Sequence, residues 1–346
     1  MKTLQCPIPF AECSTVLMGH GGGGRLTSQL IEGVFRNAFS NSILDREHDS
    51  AVLPPATGRR AFTTDSFVVS PLFFAGGNIG DLAVNGTVND LLCSGAVPRY
   101  LSASFILEEG FGLELLQQIV YAMRRAADAA GVAIVTGDTK VVERGRCDGV
   151  YINTSGIGDI PDGTDISPLR VRTGDAVIVT GEIGNHGICI LSTRKGLGFE
   201  TRIQSDTAAL TSLVRRLLEA VPDVHVLRDP TRGGIAATLH EIARSAQAAI
   251  AIDEMSLPVD RAVEAACDML GLDVLTVANE GIMLAIVPEA CADKALAAIR
   301  SDAKGRKAAV IGRVTEGRPA GVYLEMPFGQ TRAIDLPDGE VLPRIC

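Results

Sequence analysis

Tryptophan is missing from the 346 residues, and aromatic side chains make up only 4% of them. A sandwich core built on large rings is therefore excluded. With 46% hydrophobic residues and 37 glycines, the chain reads instead as an α/β protein made of Ala, Val, Leu and Gly. A surplus of positive charge is also missing. The 32 Lys and Arg face 41 Asp and Glu, a net charge of -9, which argues against nucleic acid as a partner because neutralising phosphates takes a cationic surplus. Small anions stay possible, since glycine loops bind phosphate through backbone N–H groups.

Long apolar runs are absent too, so no membrane association is expected. The opening "MKTLQCPIPFAECSTVLMGH" has one lysine, interrupting prolines and no apolar block, unlike a signal peptide. The eight cysteines (Cys6, Cys13, Cys93, Cys147, Cys189, Cys267, Cys291, Cys346) form no CxxC pair, which excludes the common zinc and redox spacings. A reducing cytoplasm is the expected setting, with most of these thiols acting as small buried hydrophobes. Cys346 stands apart because it is the last residue. Prenylation needs a cysteine fourth from the end or a terminal pair, so a lipid anchor is excluded.

The length suits two domains of about 150 residues. In the first half, strand patterns in "RRAFTTDSFVV", "RYLSASFIL", "VAIVTGD" and "VYINTSGIG" alternate with helix patterns in "GGNIGDLAVNGTVNDLLCSG" and "GLELLQQIVYAMRRAADAAG". The Gly/Pro/Asp-rich "GDIPDGTDISPLRVRT" marks a boundary. Domains are expected over 1–160 and 170–325, with helices in "TAALTSLVRRLLEAV", "GGIAATLHEIARSA", "VDRAVEAACDML" and "EACADKALAAIRS". A polar tail over 326–346, broken by prolines, is expected to be mobile and to carry Cys346 with it.

Several stretches carry chemistry. In "GHGGGGR", Gly21, Gly22, Gly23 and Gly24 let successive N–H groups turn toward one anion, and a helix predicted to follow adds positive potential. A flexible surface loop is the plain alternative. Asp65 in "TTDS" and Asp138 with Thr139 and Lys140 in "VTGDTK" are expected at strand ends, with Asn89 and Asp90 in an apolar helix. Such carboxylates suit Mg2+, and a lysine suits a phosphate oxygen, although each Asp alone also suits a cap or turn. In "RDPTRGG" the pattern favours a helix cap. Glu280 in "VANEG" is either a partly buried base or a turn residue facing water. His20 and His186 sit between glycines, as in turns near a ligand or the surface, whereas His48, His225 and His240 read as structural.

Taken together, "GHGGGGRL", "TDSFVVSPLFFAGGNIGDLAVNGTVNDLLCSGAVPRYLSASFILEEG", "AIVTGDTKVVERG", "INTSGIG", "RDPTRGG", "ANEG" and "PRIC" resemble the HypE family of carbamoyl dehydratases, and do so nearly end to end. The "VND" and "GDT" elements are shared more widely, with aminoimidazole ribonucleotide synthetase and its relatives. The resemblance implies a PurM-like two-domain α/β fold whose N-terminal strands contribute to a homodimer barrel, and it implies ATP and Mg2+ as cofactors. It also implies that a HypF-type carbamoyltransferase loads Cys346 and that ATP then drives dehydration to a thiocyanate. That group would supply cyanide for a nickel-iron hydrogenase through an iron-carrying HypC-HypD-type scaffold.

By that likeness Gly21 to Gly24, Asp65, Asn89, Asp90, Asp138 and Thr139 bind ATP, with Asp65, Asp90 and Asp138 on the metal. Glu280 and Lys140 approach the thiol of Cys346, Glu280 as the favoured proton acceptor. Two departures stand out, Asp81 where lysine is expected and Asn85 where cysteine or histidine is commoner. A selenophosphate synthetase would instead carry its reactive residue near the N-terminus with a lysine soon after, a pattern Cys6 and Cys13 lack. A nucleotide-binding scaffold without catalysis would need no such set of acids.

Overall fold

The structure is a computed structural model that describes residues 14–46, 50–194, 202–336 and 344–346. Cys6, Cys13, His48 and the 337–343 part of the tail lie outside the described residues.

After the glycine-rich loop comes α1 (Arg25–Leu30), which passes into a π-helical turn over Ile31–Arg36 and a last short piece, Asn37–Phe39. The N-terminal sheet holds β1 (Arg60–Phe67), β2 (Val97–Glu108), β3 (Ala133–Val142) and β4 (Val150–Asp159) in the order β1-β4-β2-β3. Strands β2 and β3 run parallel, so the chain must cross over between them. It does so through α3 (Leu113–Ala130). That helix buries Leu116, Ile119, Val120, Met123 and Ala127 at three- and four-residue spacing and stops at Gly131, whose φ of 75° suits a left-handed cap.

Helix α2 (Ile79–Cys93) is buried almost all round, because it is sandwiched between the N-terminal sheet and the second domain. Its start explains one departure. The Asp81 carboxylate accepts from Asn78 N at 2.9 Å while the Asn78 side chain accepts from Gly80 N at 2.8 Å, a reciprocal cap. The other departure is used as well, since Asn85 donates to Thr207 Oγ1 of the second domain at 3.2 Å.

The C-terminal sheet contains β5 (Ala176–Val179), β6 (Val226–Arg228), β7 (Ala249–Asp253), β8 (Leu284–Val287), β9 (Ala309–Thr315), β10 (Gly321–Glu325) and β11 (Thr331–Ala333), ordered β11-β10-β7-β9-β5-β8-β6. Around it lie α4 (Asn185–Thr193), α5 (Thr211–Ala220), α6 (Gly234–Ala246), α7 (Arg261–Leu270) and α8 (Ala292–Arg300). Ile235, Leu239 and Ile242 of α6 cover one face. On the other face, Leu213 and Ile299 join an apolar cluster that continues through α2 into the first domain. The two domains are therefore packed together and do not swing on the linker as separate beads.

The start of the expected mobile tail is ordered. Strand β11 pairs with β10, and Ile334 is buried, because an apolar residue amid the polar stretch finds the sheet edge.

Candidate active site

The structure brings the sequence-derived candidates into two groups. The first lies at the domain boundary. Asp65 is the sixth residue of β1, not its end, and Asp90 on α2 faces it while accepting from Thr63 Oγ1 at 2.7 Å. Burial pushes both carboxyls up, and the charge of Asp90 adds to the effect on Asp65. Arg232 opposes the rise at both.

Glu280 belongs to this group and is buried, so the reading of it as a water-facing turn residue falls. Its carboxyl lies well above the usual range, first through burial and then through the negative charges of Asp206, Asp229 and Asp65, with Arg232 opposing. Its backbone is clamped. The Glu280 and Gly281 N–H groups donate to the Asp206 carboxylate at 3.1 and 3.0 Å. Glycine is required at 281, because a Cβ there would come within 1.6 Å of the Asp206 carbonyl oxygen.

Asp206 and Asp229 were missed as site residues, and burial pushes both up to about 6. No local pattern marks Asp206. Asp229 read as a cap, but the N-cap of α6 is Gly233 in a left-handed conformation, and the Asp229 carboxylate instead accepts from the Cys93 thiol at 3.4 Å. A cleft of about 490 Å3 lined by Thr63, Asp90, Cys93, Arg228 and Asp229 opens beside them.

Asn89 turns its side chain to the second domain. Its side chain donates to Ala208 O at 3.0 Å and accepts from Leu210 N at 3.0 Å, and this work of fixing the second domain to α2 leaves it buried. That tie also explains why the predicted helix at 207–221 begins only at Thr211.

The second group lies across the sheet. Asp138 and Lys140 sit within β3, not at a strand end, and are exposed, with Lys140 Nζ 3.7 Å from Asp138 Oδ2. Register separates them from Asp65: Asp65 pairs with Thr154, Thr154 with Ala103, and Ala103 with Gly137, so Asp138 points to the opposite face. Three strand spacings, roughly 14 Å along the sheet, add to that. Asp65, Asp90 and Asp138 of one chain therefore do not surround one ion, and among the described residues no three His, Cys, Asp or Glu groups are arranged to hold a metal.

The glycine loop packs on the same strand, β3, but on the face that Gly137, Thr139 and Val141 share with Asp65. A Cβ on Gly21 would meet Val141 N of β3 at 2.9 Å, whereas Gly23 and Gly24 face open space. Thr27 tightens the loop by accepting from Gly23 N at 2.9 Å. Beside it, a cavity of about 190 Å3 is lined by Thr27, Phe35, Phe39, Phe105, Asp138 and Thr139. The π-helical turn carries Phe35 into that cavity, a distortion common at binding sites.

The end of the chain returns to the first group. Val68 N donates to Cys346 O at 3.0 Å and Ser70 N to Arg344 O at 3.2 Å, just past β1 and three residues from Asp65. Arg344 also donates to Val68 O at 3.1 Å and pairs with Asp148, and Ile345 is buried. The tail expected as a free arm is docked here, because its backbone finds the unpaired edge of residues 68–70. His186 is not in a surface turn but buried in α4, against Ile345. His20 is buried too, with Nδ1 accepting from Leu17 N at 2.9 Å.

Both domains define the chain as an AIR synthase related protein: the N-terminal domain family of that description matches residues 47–160 and the C-terminal one residues 172–325. Within that class the chain belongs to the HypE carbamoyl dehydratase family. It is 51% identical over 332 residues to carbamoyl dehydratase HypE of Azotobacter vinelandii, covering 96% of this chain and 97% of that one. The crystal structure of hydrogenase maturation protein HypE in complex with ATP superposes with a TM-score of 0.92 at 47% identity, covering 96% of this chain and 100% of that one. A HypE-HypF complex structure matches with a TM-score of 0.79 at 45% identity, over 89% of this chain and 99% of that one.

Proposed function

We propose that this chain dehydrates a carbamoyl group carried on its own Cys346, using ATP, to leave a protein thiocyanate that donates cyanide during assembly of a nickel-iron hydrogenase. One observation carries the reading. The terminal cysteine is docked on the segment that follows Asp65, whose charge reaches the buried, clamped carboxyl of Glu280. Family membership supports it through the ATP complex and the HypF complex of relatives.

The chemistry assigns work to named groups. The carbamoyl oxygen attacks the γ-phosphorus of ATP, the phosphoryl group moves to that oxygen, and ADP leaves. Loss of both N–H protons and cleavage of the C–O bond then release phosphate and leave S–C≡N. Glu280 takes a proton from the nitrogen; its raised pKa makes it a strong base once ionised. Burial keeps water from competing.

The loop of Gly21 to Gly24, with Thr139, cradles the phosphates once the Gly22 and Gly23 N–H groups turn from Gly19 O and Thr27 Oγ1 to the nucleotide, and the apolar cavity beside them takes the adenine. Asp65 and Asp90 fit Mg2+ by chemistry, being oxygen donors whose crowded negative charge a divalent cation relieves. Bound there, it would neutralise charge on the transferring phosphoryl group.

Because Asp138 and Lys140 face away from Glu280 within one chain, a homodimer is part of the reading. The β3 edge of a second copy supplies them to the site. The partners are a HypF-type carbamoyltransferase and an iron-carrying HypC-HypD-type scaffold. The need for a reduced Cys346 supports a cytoplasmic setting.

The test is direct. Incubated with the carbamoyltransferase, carbamoyl phosphate and ATP, the protein should yield a C-terminal peptide bearing thiocyanate by mass spectrometry. No modification at Cys346, or a carbamoyl group that never loses water while ATP is present, overturns the reading. Cys346→Ala should keep ATP binding and lose all product.

A further inference from the structure

His186 is fully buried, and its two ring nitrogens have different partners. Nε2 lies 2.8 Å from Ile345 O and Nδ1 2.7 Å from Ser205 Oγ. A carbonyl only accepts, so Nε2 carries the hydrogen, and Nδ1 is then a lone pair that accepts from the Ser205 hydroxyl. The Ser205 oxygen in turn accepts from Thr207 N at 3.1 Å. Burial lowers the His186 pKa to about 4, so this neutral tautomer persists throughout the working range of the protein. Phe74 meets the ring edge-on at 5.7 Å between centroids and fixes its plane.

Ser205 is covalently next to Asp206, whose carboxylate holds the N–H groups of Glu280 and Gly281. The ring therefore joins the peptide next to the terminal cysteine to the segment that sets the position of Glu280. Other ties on the tail are from Val68, Ser70 and Asp148 of the first domain and from Arg194, which donates to Arg344 O at 2.9 Å, and among the described residues none of these bonds to the Ser205–Asp206 segment. Resting on the reaction proposed above, we infer that His186 is a positioning residue: its imidazole docks the tail at Ile345 and registers it against the Ser205–Asp206 segment, so that the loaded thiol meets Glu280 in one geometry. It exchanges no proton with substrate.

The carbamoylation step, which takes place on the partner enzyme, needs the tail released and should not need His186. Dehydration should. With the partner carbamoyltransferase, carbamoyl phosphate and ATP, the carbamoyl and thiocyanate forms of the Cys346 peptide are followed in time by mass spectrometry. His186→Phe keeps a planar ring against Phe74 but removes the donor; it should load at least as fast as wild type, keep its ATP affinity, and dehydrate about 100-fold more slowly, the scale of a roughly 1 Å misplacement. His186→Gln puts an amide donor where Nε2 lies and should recover most of the rate. Equal dehydration rates for wild type and His186→Phe overturn the inference, as does failure of the Gln variant while it remains folded.

A second readout does not depend on the chemistry. Alkylation of Cys346 by iodoacetamide in the resting protein should be several-fold faster in His186→Phe than in wild type or His186→Gln, because the docked fraction falls. Unchanged alkylation overturns the docking role. A wild type that never forms thiocyanate, with alkylation behaving as expected, sinks the proposed reaction and leaves the docking role standing.

Discussion

At the scale of single residues, the site is a concentration of buried acid held at a cost to stability. Burial pushes Asp206 and Asp229 up to about 6, with the charge of Asp90 adding at Asp229, and burial with neighbouring negative charge holds Glu280 well above the usual carboxylate range. The folded chain keeps protons on Asp206 and Asp229 that the unfolded chain gives up from about pH 4. Stability from these groups is therefore present below about pH 4, falls as pH rises toward about 6, and stays lower above it. Asp229→Asn should accordingly raise stability at pH 8 by about 2 kcal/mol, an advantage that vanishes near pH 4; paired thermal melts of the two proteins at both pH values measure this. For catalysis the same shift gives an acidic limb. The dehydration rate should climb with pH above the ordinary carboxylate range, and Glu280→Gln should remove about 100-fold or more of the rate on the alkaline plateau and abolish the acidic limb while ATP affinity is kept. A flat pH profile would exclude Glu280 as the proton acceptor.

At the scale of elements, close approaches place the site more firmly than propensity does. The glycine loop lies against β3 because position 21 has no side chain; Gly21→Ala puts a methyl into Val141 N. We expect the loop to be pushed off the strand, weakening ATP about tenfold in calorimetric titration while the melting temperature barely moves. Gly281→Ala should behave differently. Its Cβ would strike the Asp206 carbonyl, and breaking that clamp should lower stability by about 3 kcal/mol and abolish dehydration, read by denaturant titration and by product formation. Asn89 teaches a related lesson. Its place in a polar "VND" step inside an apolar helix was visible, but a single sequence does not distinguish an amide reaching for a ligand from one that binds 208 and 210.

At the scale of the whole molecule, the face rule of the sheet is what supports the proposed homodimer. Since Asp65 and Gly137 share a face through the register, Asp138 and Lys140 look away from Glu280, and a site that uses all of them needs two chains. Mixing Glu280→Gln protein with Lys140→Met protein under subunit exchange should then restore about one quarter of wild-type dehydration, because half the dimers are mixed and each has one intact site. No recovery would place both residues in one chain's site. The interlocked domains argue that closure involves the tail more than the domains, since the apolar cluster runs unbroken between them.

The strand and helix order and the glycine-rich loop were legible in the sequence, because periodicity, capping and turn residues are local signals. Which acids meet was not. Asp206 sits in an unremarkable loop and reaches Glu280 only because residues far apart in the chain fold against one another. The docking of Cys346 beside residues 68–70, the bridge through His186 and the turning away of Asp138 depend on register and packing, which fix distances between elements that no pattern along the chain contains.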